Sequence, residues 1–163
     1  MSDARRLLIL GGIALALLGM SYGLWYAVFS EHQELDSIGK SLATGFIGAA
    51  ERNGAAAAAA LEQYRQEKYH YDRHVDVHGH WIGLAMLLLV LGIAFDRIGY
   101  SNGVKYLLAL SLLVGSFIFP LGVFMQTYSH GLGPRVAAIA GSALVIVSLV
   151  AISLGFAWGK RTS

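Results

Sequence analysis

The sequence predicts an all-α integral membrane protein: a four-helix bundle with a helical segment, residues 30–76, inserted on the outer side between transmembrane helices 1 and 2. Three observations predict it. Apolar residues make up 56% of the 163-residue chain and charged residues only 13%, against about 25% charge in a soluble domain. The apolar residues gather in runs at 7–29, 77–96, 106–126 and 136–158, each near the 20 or so residues that carry a helix across a bilayer. Between Ala55 and Val77 there is neither glycine nor proline, so nothing there breaks a helix.

The first run, 7–29, carries no charge and follows Arg5 and Arg6. It is longer than a signal-peptide core and has no A-x-A-like cleavage site, so a retained helix is expected. The second run is apolar from Trp81 to Phe95 only. Reaching a spanning length requires starting it at Val77, which draws His78 and His80 to the membrane boundary. Ionisable groups at that depth cost energy and are functional candidates by default. The third run contains Pro120, which removes one helix hydrogen bond and predicts a kink. The fourth follows the turn signal Gly131, Gly133, Pro134.

Basic residues orient the chain. With a cytoplasmic amino terminus, the inner segments 1–6, 96–105 and 159–163 hold six Lys/Arg in 21 residues, and the outer segments 30–76 and 127–135 hold six in 56. This density predicts a multi-pass plasma (inner) membrane protein with both termini cytoplasmic. Tyr22, Trp25, Tyr26, Trp81 and Tyr128 then form an outer aromatic belt, with Tyr106 and Trp158 near the inner boundary.

The outer segment reads as helical. Ile38, Leu42, Phe46 and Ala49 recur at helical spacing. Asn53-Gly54 signals a turn. The six-alanine run Ala55–Ala60 then starts a strong helix former, and Leu61, Tyr64, Lys68 and Tyr71 continue the spacing. This second helix is expected to run without a break into the span at 77–96.

With no cysteine, disulfides, thiolate metal sites, c-type haem attachment, iron–sulfur clusters and thiol nucleophiles are excluded. There is no phosphate-cradling glycine loop, no nucleophile elbow, and no basic stripe of the kind that binds nucleic acid. Glycines 11, 12, 19, 23 and 141 suit close helix packing.

All six histidines (His32, His70, His74, His78, His80 and His130) fall on the predicted outer side, four of them in the stretch HYDRHVDVHGHW. On a helix, His70, His74 and His78 share one stripe. His80 points about 200° from His78. His32 and His130 follow the outer ends of the first and third spans. Imidazoles from three helices are therefore expected in one layer near the outer interface.

That layer suits axial ligation of haem iron by side chains on facing helices. The expected function is a haem b protein that carries single electrons. His78 and His130 are the preferred axial pair, His80 the substitute, and His74 and His32 candidates for a second site. Arg73 and Arg135 are placed to meet the propionates, and Gly79, Gly83 and Ala85 to admit a flat macrocycle. Six-coordinate iron has no open position, so electron transfer is expected rather than stand-alone enzymatic chemistry.

One alternative is a porphyrin-free site for zinc, copper or iron, built from His70, His74, His78, His80, His32 or His130 with Glu31, Glu67, Asp72 or Asp76. Glu67-x-x-His70 has the spacing of di-iron bundles. Proton handling by histidine is a further use of the same residues, and Met125 is a weaker, thioether candidate. The other alternative is an accessory subunit of a larger membrane complex. Expected partners are the lipid bilayer, a quinol or redox protein, and a second copy or larger assembly.

Overall fold

A computed structural model describes residues 2–129 and 131–159. Among the described residues there are five α-helices and no strand: α1 (Asp3–Phe29), α2 (Glu31–Ala50), α3 (Gly54–Ala94), α4 (Asn102–Met125) and α5 (Leu132–Gly159). A single 3-10 turn, Phe95–Arg97, follows α3. The helices α1, α3, α4 and α5 are long and apolar enough to cross a membrane. The fold class is thus all-α with four spans of sufficient length. α3 runs unbroken for 41 residues, about 60 Å at 1.5 Å per residue.

The chain divides into two compact units, one formed by Met1–Met20 with Asp76–Ser163 and the other by Ser21–Val75. In the first unit, Leu8, Leu15 and Gly19 of α1 are buried on one stripe, and Val77, Trp81, Ala85 and Leu88 of α3 on another. Glycine brings these stripes together. A methyl group on Gly12 would meet the Ala85 carbonyl at 3.1 Å, and one on Gly19 would meet Trp81 and Ile82 at 3.0 Å. Lipid is as apolar as leucine, so helices in a bilayer gain from close packing of small residues rather than from escaping water. Gly11 faces Leu113 of α4 instead.

The contact between α4 and α5 is closer still. Gly115 lies against the Gly141 carbonyl, Gly122 against the backbone of Ala137 and Ala138, and Gly141 against the backbone of Ile118 and Phe119. Pro120 sits fully buried within α4, and the helix continues through it to Met125. At the other end of this unit, Asp96 accepts hydrogen bonds from the Ser2 hydroxyl (2.5 Å) and the Arg5 guanidinium (3.3 Å), while Lys105 donates to its carbonyl (3.0 Å). This ties the start of α1 to the turn between α3 and α4.

In the second unit, α2 and the first half of α3 form a hairpin. Its turn is a Schellman motif: the Asn53 N–H donates to Gly48 O (2.8 Å) and the Arg52 N–H to Ala49 O (3.1 Å). Arg52 occupies the left-handed position at φ 58°, where glycine is usual because it has no Cβ. Asn53 then caps α3, its side-chain oxygen accepting from the Ala56 N–H at 3.1 Å.

The stripe of Leu42, Phe46 and Ala49 is not the face of α2 that packs. Ser41 and Gly48 are the buried residues of α2, Gly45 and Gly48 lie on Ala60 and Ala57, and Phe46 is 74% exposed. The reason is the alanine run. A row of methyl groups lets a partner backbone come close, and only small residues fit between two helices at that separation.

Candidate functional site

The polar side chains in the second unit converge on His74. Helical spacing places Tyr22 and Tyr26 four residues apart on one face of α1. Glu34 lies one turn into α2, and His74 lies on α3. The His74 ring is buried. It stacks on Tyr26 with centroids 4.8 Å apart and 17° between planes, and lies near-parallel to Tyr22 at 6.2 Å. Its Nδ1 shares a hydrogen bond with the Tyr22 hydroxyl. Its Nε2 faces Glu34 Oε1 at 3.7 Å. The Tyr26 hydroxyl donates to the other Glu34 oxygen at 2.7 Å. With a carboxylate opposite Nε2, the ring proton belongs there, and Nδ1 accepts from Tyr22.

Beside this cluster, an open cavity of about 350 Å³ is lined by Ser30, Gln33, Glu34 and Ser37 at the start of α2 and by Glu67 and His70 of α3. Glu67 Oε1 accepts from the Ser37 hydroxyl (2.6 Å) and from the Gln63 amide (2.9 Å). Burial pushes the Glu67 carboxyl up, but these hydrogen bonds to its charged form outweigh burial and hold it below the usual range. Glu67 lies ten residues before the predicted span 77–96.

In the first unit, His78 and His80 are each half-buried. His78 Nδ1 bonds the Gly19 carbonyl of α1 at 2.9 Å. His80 Nδ1 bonds the Asp76 carbonyl, one turn earlier on its own helix, at 2.5 Å. The His80 ring packs edge-on against Phe119 of α4, centroids 4.7 Å apart. A carbonyl can only accept, so each Nδ1 carries a proton, and in the neutral ring Nε2 keeps its lone pair. This is the tautomer that metal-ligating histidines adopt when a carbonyl orients the ring.

The remaining candidates are dispersed. His32 is exposed and faces Asp36 at 3.7 Å. His70 lies edge-on to Tyr69 and lines the cavity. The Arg73 guanidinium sits over the Tyr69 ring at 5.0 Å. Arg135 is exposed in the first turn of α5. Gly79 and Gly83 are open, with no neighbour within 4 Å of an added Cβ, whereas Ala85 is fully buried. His130 lies outside the described residues. Among the described residues no three histidine or acidic side chains are grouped to hold a metal ion.

Sequence reasoning missed Glu34 and Ser37, and it placed Tyr22 and Tyr26 in an aromatic belt. The pair of tyrosines at i, i+4 was the available signal; nothing in the local sequence ties them to His74. No protein-family model, curated protein or solved structure matches this chain.

Proposed function

We propose that the chain is a multi-pass membrane protein that carries single electrons on haem b, with His78 of α3 as an axial ligand, His130 as its partner and His80 as the substitute. The observation that supports this reading most is the state of the two α3 imidazoles. Each turns its Nδ1 to a backbone carbonyl, which in the neutral ring leaves Nε2 with the lone pair that ligation of iron requires of histidine. His74 has its Nδ1 on the Tyr22 hydroxyl and its Nε2 toward Glu34, so it stays, with His32, a candidate for a second site only. Bound haem would supply reversible one-electron chemistry; the chain's own residues would hold it, orient the imidazoles and keep water from it.

The test is an absorption spectrum, with metal content, of the full chain purified from haem-replete cells. A Soret band with one or more haems per chain is expected, reduced or shifted to a five-coordinate form by His78→Ala. Protein without haem overturns the reading. An unchanged spectrum in both His78→Ala and His80→Ala overturns the ligand assignment.

A second reading, as an accessory subunit, is favoured by α2. Phe46 is 74% and Ile47 58% exposed on a helix that is not one of the four candidate spans. Such a surface suits a partner protein. Copurification of a stoichiometric partner from native membranes would support it, and a monodisperse chain that performs electron transfer alone would refute it.

A further inference from the structure

We infer that the seam between α1 and α4 binds one phospholipid with a primary-ammonium headgroup, of the phosphatidylethanolamine class, in the leaflet at the start of these two helices. Two cavities lie on that seam, both within the first unit. One is polar, about 250 Å³, and lined by Ser2, Asp3 and Ala4 at the start of α1 and by Asn102, Lys105 and Tyr106 of α4. The other is an apolar groove of about 550 Å³, walled by Gly11, Ala14 and Leu18 of α1 and by Leu113, Phe117 and Ile118 of α4. Their separation is that of the two ends of one lipid. Ala4 to Gly11 and Tyr106 to Leu113 are both seven residues, about 10 Å at 1.5 Å per residue. The groove continues from Gly11 to Leu18, about 10 Å more. Polar pocket and groove together therefore match a headgroup followed by the roughly 15 Å of one leaflet, half of a hydrocarbon core about 30 Å thick. Leu107 and Leu110, 62% and 38% exposed, carry the apolar surface from one to the other.

Charge at the polar end selects the headgroup. The pocket is lined by one carboxylate from α1 and one ammonium from α4, and among the described residues no ion pair joins Asp3 to Lys105. Lys105 gives one N–H to the Asp96 carbonyl at 3.0 Å and has two further donors. Opposite charges on two walls complement a zwitterion: Lys105 and the Asn102 amide suit its phosphate, and Asp3 suits its ammonium. A choline headgroup has the same charges but no N–H to give Asp3. An anionic lipid would set its phosphate beside Asp3 with no cation between them, a like-charge contact that disfavours the wrong partner. Within the bilayer the acyl chain gains from close packing against the groove rather than from leaving water.

The test is native mass spectrometry of the full chain in detergent, titrated with dioleoyl phosphatidylethanolamine and with the choline and glycerol lipids of the same acyl chains. One ethanolamine lipid per chain is expected, bound at least about tenfold more tightly than either of the others. Asp3→Asn should bring it down to the level of the choline lipid. Ala14→Phe, at an exposed position, should fill the groove and weaken the ethanolamine lipid about tenfold. Equal affinity for the ethanolamine and choline lipids, a preference for the glycerol lipid, or full affinity for the ethanolamine lipid in either variant overturns the proposal. So does a dimer that Ala14→Phe disperses and the ethanolamine lipid does not, which would give the groove to a second copy of the chain. The comparison of the three lipids uses the unaltered chain, so a variant that fails to fold leaves the test standing. The outcome is independent of whether the chain holds haem.

Discussion

His74 lies on the ring of Tyr26, and the two are also joined through Glu34, which accepts from the Tyr26 hydroxyl and faces His74 Nε2. One carboxylate of α2 therefore fastens α1 to α3. Tyr26→Phe keeps the stacking and removes the donor to a charged acceptor. A loss of about 1.5–3 kcal/mol is expected, read from reversible unfolding in mixed micelles. A double-mutant cycle with Glu34→Gln should show coupling of more than about 0.5 kcal/mol; additive losses would show that the bond contributes nothing of its own.

The hairpin turn makes opposite predictions for adjacent residues. Arg52 is held at positive φ, so Arg52→Gly should stabilise, by up to about 1 kcal/mol. Asn53→Ala removes the cap on the Ala56 N–H and should cost about 1 kcal/mol. The same unfolding measurement checks both, and a loss of stability in Arg52→Gly would contradict the Schellman assignment.

Glycine substitutions should divide by location. A side chain at Gly141 runs into the Phe119 backbone, so Gly141→Val should cost about 3 kcal/mol or more by overpacking. An added Cβ at Gly39, within α2, meets no neighbour within 4 Å, so Gly39→Ala should gain about 0.5–1 kcal/mol of helix propensity. Thermal unfolding of the two variants beside the parent distinguishes them by sign.

Glu67 gives a pH dependence. Its folded-state carboxyl is held below its ordinary value of 4.5, where burial is outweighed by hydrogen bonds from Ser37 and Gln63. The unfolded chain then binds the proton more readily than the folded one. The stabilisation is fully present above the unfolded pKa and is lost as pH falls through the folded value. Relative to Glu67→Gln, the parent should be more stable at neutral pH, with the difference shrinking as pH falls below about 4.5. Ser37→Ala should raise the Glu67 pKa, measured by carboxyl NMR titration. A pH-independent difference would refute the linkage.

The helical class and the four long apolar segments were legible because each is a property of consecutive residues. Composition disfavours a soluble core, and run length matches a bilayer's thickness. Asn53-Gly54 likewise marked the break between α2 and α3, since a cap acts within a few positions. The packing face of α2 was not legible. Hydrophobic periodicity points to Leu42 and Phe46, but the alanines opposite select Ser41, Gly45 and Gly48, and that choice depends on the partner helix.

Taken alone, the order of residues determined which stretches are helical and which of those helices can cross a membrane, because both follow from local propensity and hydropathy. Only the tertiary structure decided what each of these histidines faces. His74 lies against residues 40 and more positions away on other helices, while His78 and His80 rest their Nδ1 on carbonyls. A ring's tautomer depends on what faces it in space, and spacing along a single helix does not specify that.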